Sequence, residues 1–393
     1  MTTKKADSYD VVIVGAGVIG LACAWRAAMR GLSVCVLERG RIAAGATGVA
    51  AGMLAPVGEA SWGEEALLSL NLRSLGLWEG FASELEDEAG IGTGFQRSGA
   101  LHVALDRDEA EALRRRHQLH GSLELASEWL RPSECRRLEA GLSTAVTGGV
   151  QAPDEAQVDP RRLCASLAAA IEARGGRIEL GAEVAAAELM AGGSTLRTAD
   201  GREHRGGEVV VASGSWSGTA EWLPSELRPP VRPVKGEILV LRGSPDHPVC
   251  ERIVSSERVY MVPRADGSLV LGATVEERGF DERVTAGGVH ELLREGYRVL
   301  PEIAELELEQ MAAGLRPATP DNAPLIGRAS ADGPILATGH YRNGVLQAPV
   351  TADAVAALLV GEQPGADLEP FSPTRFAGDG AHLSARSTTV GAR

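Results

Sequence analysis

Residues 9–14 read YDVVIV, a short β-branched run that meets glycine at its end, and this predicts a strand buried on both faces. Helical spacing follows over residues 21–30 and stops at Gly31, a residue suited to end a helix. Residues 33–37 (SVCVL) predict a second buried strand, which completes a βαβ unit. Polar helices are predicted over 83–90 and 107–120, with a strand at 100–105 between them. The helix over 160–174 carries strong end signals: Asp159 can cap it, Pro160 sits in its first turn and Gly175 follows it. Residues 177–180 and 209–212 read as strands. Residues 233–241, 259–263 and 268–273 alternate like antiparallel strands, with a turn over 265–268. A helix over 288–299, a core strand at 335–337 and a helix over 350–360 close the pattern. The stretch after Pro370 is polar and rich in small residues, as chain ends that fray are.

Parallel-sheet signals thus occur at both ends and in the middle of the chain, with antiparallel signals between them. The expected class is α/β, or α+β overall: a Rossmann-like nucleotide-binding domain interrupted by a substrate domain built on a mixed or antiparallel sheet. The expected division gives residues 1–84, 155–220 and 312–375 to the first domain and 85–154 and 221–311 to the second, with 376–393 a flexible tail.

Composition narrows this picture. In 393 residues, 44% are hydrophobic and 23% charged, enough for a sizeable core and against disorder throughout. The 39 basic residues face 53 acidic ones, and a formal charge of −14 argues against nucleic acid or an anionic membrane as a general partner. Five scattered cysteines form no CxxC and no zinc spacing with histidine, so they read as buried small apolar residues in a reduced compartment. Lys4 and Lys5 before VVIVGAGVIGLACA mimic a secretory signal. Yet the run carries three glycines, lacks a cleavage region and passes into an amphipathic stretch, so a cytoplasmic location is expected.

Glycine is the outlier, with 48 residues against a usual share of about 7%. Gly15, Gly17 and Gly20 form G-x-G-x-x-G between a predicted strand and a predicted helix. Gly15 permits the tight turn, Gly17 lets backbone N–H groups approach a pyrophosphate, and Gly20 lets helix and strand pack closely. Glu38 ends the second strand, where a carboxylate accepts hydrogen bonds from a ribose diol and repels a 2′-phosphate. After Glu38 comes RGRIAAGATGVAAGML, small and flexible, where a second NAD-type βα element would be expected to continue.

That segment resembles the second flavin-contact loop of the D-amino-acid-oxidase-like family of FAD-dependent oxidoreductases. The resemblance extends through VVVASGSWS, PVKGEILVL, AGLRPATPDNAPLIG and ATGHYRNGVLQAP. Within the family, AAGML, VYMVPR, GLRP and GHYRNG resemble the glycine-oxidising branch linked to thiamine biosynthesis. The resemblance implies noncovalent FAD, a small amino-acid substrate, O₂ as electron acceptor, a homotetramer, and no nucleic-acid or membrane partner. It implies oxidative deamination of glycine, sarcosine and small D-amino acids to the 2-oxo acid, ammonia and H₂O₂.

Residue roles follow from the same resemblance. Val18 and Ile19 face the pyrophosphate, and Glu38 and Arg39 hold the adenosine ribose. Ala46, Thr47, Ala51, Gly52 and Met53 line the phosphates and flavin, and Val184 meets adenine by its main chain. His340, Tyr341, Arg342, Asn343, Gly344, Val345 and Leu346 place backbone N–H groups near the isoalloxazine. Arg316 and Arg342, each read in a turn, face the substrate with Tyr260 beside them. Chemistry agrees with these roles: the flavin accepts the electrons, so the protein needs only to fix the carboxylate and aim the α-carbon. A guanidinium offers the planar fork that a carboxylate matches.

The chain departs from its relatives at three places. Gly314 stands where sarcosine oxidases tether FAD by cysteine, which implies noncovalent FAD. Val275 stands where some relatives carry methionine, and Arg258 where they carry histidine; Val275 leaves more room for substrate. The alternatives are a flavin oxidase or dehydrogenase for D-amino acids or N-methylated amines, and a flavin-binding subunit without its own chemistry.

Overall fold

A computed structural model describes residues 7–376, so most of the expected tail, from residue 377 on, lies outside the described residues. The chain opens with β1 (Asp7–Val14), α1 (Val18–Met29), β2 (Val34–Glu38), β3 (Met53–Leu54) and α2 (Glu65–Ala89). It continues with β4 (Ala100–Ala104), α3 (Arg107–Ser122), β5 (Glu128–Leu130), α4 (Pro132–Leu138), β6 (Gly148–Ala152), β7 (Ala156–Gln157) and α5 (Pro160–Ala173). Next come β8 (Arg177–Leu180), β9 (Val184–Glu188), β10 (Ser194–Thr198), β11 (Glu203–Val211), β12 (Arg232–Arg242), β13 (Ile253–Ser255), β14 (Tyr260–Pro263) and β15 (Ser268–Gly272). The last elements are α6 (Ala286–Val299), β16 (Glu307–Ala318), β17 (Leu325–Arg328), β18 (Ile335–Thr338) and α7 (Ala348–Leu359).

Two eight-stranded sheets organise these elements. The first runs β17-β18-β11-β1-β2-β8, with β10 and β9 added beside β11. Its five strands from β18 to β8 pair in parallel, as the β-branched runs predict. Helices α1, α2, α5 and α7 pack on one another over one face, around a core that includes Ile13, Trp25, Trp78 and Leu167. The second sheet runs β16-β12-β15-β14-β13-β4-β6-β5. It is antiparallel except at β13 and β4, which run parallel, so it is mixed as expected. Asp159 caps α5 by accepting from the N–H groups of Arg161 and Arg162, and the turn over 265–268 closes with Gly267 at φ 83°. All five cysteines are buried.

Two elements differ from the sequence reading. The expected helix over 83–90 is only the last third of α2, which begins at Glu65. Its buried face is apolar at Leu67, Leu70, Trp78, Phe81 and Leu85, but Asn71 and Ser74 sit on the same face and break the pattern. Tertiary partners account for both: Asn71 accepts from Gln347, and Ser74 donates to the Leu346 carbonyl. The second difference is at Arg316, expected in a turn and found inside the strand β16. Pro317 and Gly314 argue locally against a strand, yet β16 pairs with β12 along its whole length. It is an edge strand, where proline is tolerated because an N–H on the open side has no ladder partner to lose. Strand β16 and helix α2 each run across a position expected as a domain boundary.

Candidate active site

One cleft of about 1240 Å³ runs between the two sheets, and nearly all the residues singled out in the sequence line it. At its first end Gly15 turns from β1 into α1 with φ 112°. A side chain there would reach within 2.5 Å of the Ala212 carbonyl oxygen at the end of β11. Gly20 lies against the Gly15 carbonyl with no room for a Cβ, which is the close helix–strand packing expected of it; it packs there rather than lining the cleft. Gly17 is the N-cap of α1, and Val18 and Ile19 follow it in the first turn, so the positive end of the helix opens onto the cleft.

Glu38 is held from both sides. One carboxylate oxygen accepts from Ala16 N–H at 2.9 Å and the other from Gly40 N–H at 2.8 Å. Arg39 lies over the Trp216 ring, 4.0 Å from its centroid, and Val184 enters the cleft at the start of β9. Ala46 and Thr47 form a short 3₁₀ turn, and Thr47 Oγ1 accepts from Val18 N–H at 3.2 Å. Gly52 takes φ 72° against the Val158 carbonyl, while Met53 pairs with Gln157. Arg264, which the sequence reading passed over, ties this segment down by donating to the carbonyls of Ala51 and Val158. Burial depresses its guanidinium below the ordinary arginine range.

The first end fits FAD. At Gly15 and Gly20 a Cβ would meet backbone atoms, so only glycine lets β1 turn this tightly into α1; the helix terminus offers N–H donors to the cleft, and Glu38 lines the same space. The cleft is long enough to continue from there past Ala51 and Gly52 to the second sheet.

At the other end the segment after β18 crosses the cleft. Tyr341 adopts φ 47° and donates its N–H to the Pro317 carbonyl at 2.9 Å. Asn343, Gly344 and Val345 follow along the wall. Leu346 does not reach the cleft: it is buried, and its carbonyl accepts from Ser74 Oγ and Trp78 Nε1. His340 lines the cleft edge with its ring bonded to Thr351 Oγ1 at 3.0 Å, and burial pulls its pKa down to about 3. It is therefore neutral and not a proton acceptor at ordinary pH.

Arg342 is exposed, stacked over Tyr341 with its guanidinium carbon 5.0 Å from the ring centroid. Arg316 lies across Gly236, where a side chain would clash, and donates to the carbonyls of Lys235 and Thr274 at 3.3 and 3.1 Å. Tyr260 stands beside Arg316. Burial raises its phenol, against the pull of the Arg316 cation, so it remains a neutral donor. Val275 and Arg258 line the same end.

Four further polar residues meet there without a sequence signal: Glu59, His102, Arg116 and Ser255. Burial pushes the Glu59 carboxyl up, and Arg342 opposes that shift. They come from positions 59 to 255 in the chain: His102 and Ser255 meet where β4 pairs with β13, Arg116 comes from α3 and Glu59 from the loop before α2.

The cleft therefore joins a dinucleotide-type turn to a pocket where the guanidiniums of Arg316 and Arg342 stand with the Tyr260 phenol. A model of the family described as FAD dependent oxidoreductase (DAO) matches residues 10–358. The chain is 36% identical over 375 residues to the bifunctional protein ThiO/ThiG of Trichormus variabilis, covering 93% of this chain and 55% of that protein. It spans about half the length of this and two further ThiO/ThiG relatives. It is 34% identical over 372 residues to the glycine oxidase of Geobacillus kaustophilus, covering 94% of this chain and 98% of that one. A crystal structure of glycine oxidase from the same organism matches with a TM-score of 0.87, covering 94% of this chain and 99% of that chain. Among the described residues no helix is long and apolar enough to cross a membrane.

Proposed function

We propose that this chain, which belongs to the DAO family of FAD dependent oxidoreductases, oxidises glycine and related small amines. It is an FAD-dependent amino-acid oxidase, and its similarity to ThiO/ThiG supports a link to thiamine biosynthesis, in which we place it in the thiazole branch. The reaction converts glycine, O₂ and water to glyoxylate, ammonia and H₂O₂. Sarcosine and small D-amino acids share the site, because Val275 leaves space at the pocket wall.

The observation that carries this reading is that one cleft holds the Gly15–Glu38 cradle at one end and Arg316, Tyr260 and Arg342 at the other. FAD, when bound, supplies the two-electron acceptor. The chain's own residues bind and orient. Glu38 and Arg39 hold the ribose end, the first turn of α1 holds the pyrophosphate, and residues 340–345 line the ring end. Arg342 and Arg316 take the substrate carboxylate, and the Tyr260 phenol donates to it. This fixes the α-carbon and leaves the amine free to lose its proton before oxidation. FAD is noncovalent: Gly314 replaces a tethering cysteine, and it packs against Val49 so tightly that a side chain would clash. The first sheet with its helices forms the FAD-binding domain and the second sheet the substrate domain.

The test is peroxide release under air from the purified protein with glycine, sarcosine, D-alanine and D-proline. Turnover of glycine with peroxide is expected. A colourless protein that no added FAD restores, or a yellow one that releases no peroxide from any of the four, overturns the reading.

A further inference from the structure

Four neighbouring strands of the second sheet place one residue each in a single row. His102 on β4 pairs with Ser255 on β13, Ser255 with Tyr260 on β14, and Tyr260 with Gly272 on β15. Residues paired directly across strands share a face of the sheet, with Cβ atoms about 4.5–5.5 Å apart. All four line the cleft. Because Gly272 has no side chain, the Tyr260 ring lies over it, and a Cβ there would collide with the phenol oxygen. Gly272 and Ser255 flank Tyr260 on opposite sides, so the ring leans away from Ser255.

On the other side of Ser255 in the row stands His102. Its Nδ1 is 2.6 Å from Ser255 Oγ, and its Nε2 is 3.4 Å from Glu155 Oε2. The imidazole is 7% exposed and the Glu155 carboxylate fully buried. Nδ1 and Ser255 Oγ share one hydrogen bond, whose direction follows the tautomer of the ring, while Nε2 and Glu155 Oε2 lie close without a hydrogen bond between them. Whichever way that bond runs, Ser255 Oγ keeps a further hydrogen-bonding position for a group in the cleft.

Glu59 brings a carboxyl to the cleft from a loop. The residue before it, Gly58, donates its N–H to Glu155 at 2.6 Å and packs against the imidazole where a Cβ would clash. His102 and Glu155 thus hold both Ser255 and the backbone that carries Glu59, which makes His102 a positioning residue. Ser255 and Glu59 both line the cleft, and a ligand hydroxyl can donate to or accept from either. Arg342 and Arg316 already act on Glu59, and Arg116 lines the same end, so a further cation is disfavoured there. A neutral hydroxyl fits.

We propose that Ser255 and Glu59 form a subsite for a hydroxyl on the substrate's α-substituent, beside the Tyr260–Arg316 carboxylate anchor. The cleft then takes hydroxymethyl amino acids of the serine type in preference to their alkyl isosteres. The proposal rests on the amine-oxidase reading, and its test separates the two.

The experiment compares kcat/KM for D-serine and D-2-aminobutyrate, which differ by a hydroxyl in place of a methyl. In the parent enzyme D-serine is favoured by about threefold to tenfold, the range of one net hydrogen bond. Ser255→Ala brings the ratio near one, whereas Ser255→Thr keeps the hydroxyl and keeps the preference. Glu59→Gln lowers the ratio only in part, since an amide retains one acceptor oxygen. The same two ligands are compared by their thermal shift of the FAD-bound protein under anaerobic conditions, which needs no turnover. A parent ratio at or below one, or a ratio unchanged in Ser255→Ala, overturns the subsite even if glycine yields peroxide. If no amine yields peroxide, the oxidase reading falls and the thermal shift decides the subsite: a greater shift with D-serine that Ser255→Ala abolishes supports it, and equal shifts overturn it.

Discussion

Tyr260 and Gly272 stand opposite each other on adjacent antiparallel strands, and the tyrosine ring occupies the space that a side chain at Gly272 would need. The phenol's position is therefore set by a residue that contributes nothing but room. A hydrogen bond to a charged group is worth roughly 1.5–3 kcal/mol, and 1.4 kcal/mol is a factor of ten. Tyr260→Phe should lower kcat/KM for glycine by about tenfold to a hundredfold. Gly272→Ala should approach the same loss by displacing the ring. If Gly272→Ala binds FAD and keeps the parental KM, the phenol is not the anchor.

Arg342 is exposed, stacks on Tyr341 and acts electrostatically on Glu59, and among the described residues its guanidinium makes no hydrogen bond, while Arg316 already spends donors on two backbone carbonyls. Arg342 thus has its fork free for a ligand. Arg342→Ala should raise KM for glycine by about tenfold to a thousandfold, because glycine offers little besides its carboxylate. Arg342→Lys should recover part of that, since a point charge lacks the planar fork. Steady-state kinetics on FAD-replete protein decide it. A parental KM in Arg342→Ala would move the clamp to Arg316.

Flavin retention tests the other end of the cleft. Acid precipitation should leave all the yellow colour in the supernatant, and flavin in the pellet would contradict a noncovalent site at Gly314. Glu38→Ala removes the acceptor shared by Ala16 and Gly40 as well as the ribose partner. It should weaken FAD binding by about tenfold or more. Equilibrium dialysis reads that, and a parental FAD affinity would exclude the role of Glu38.

Stability should fall on the acid side through His120. Burial holds this imidazole neutral and draws its pKa from 6.5 to about 4. A histidine whose folded pKa is depressed contributes stability that is complete above the unfolded value and is lost as pH falls toward the folded one. The window is therefore about 6.5 down to 4. Melting temperatures across that window should drop less steeply in His120→Gln than in the parent. Parallel curves would assign the acid limb to other groups.

What the sequence by itself determined is local. The β-branched run before Gly15, the spacing of Gly15, Gly17 and Gly20, and the acid at Glu38 specify a strand, a turn and a helix end that face a dinucleotide. Each depends on residues within one turn or one strand, so the βαβ unit and its ligand class were legible without a partner. Helix α2 was half hidden, because the partners that justify burying Asn71 and Ser74 come from residues 346 and 347. Strand β16 was hidden altogether, because its pairing with β12 outweighs what Gly314 and Pro317 prefer locally. The substrate end was decided only by the tertiary structure. Arg316 and Tyr260 were identifiable through family motifs, but the row from His102 through Ser255 and Tyr260 to Gly272 exists only in the register of four strands. Register is fixed by which faces are buried against each other, a property of the assembled sheet that no window of the sequence contains.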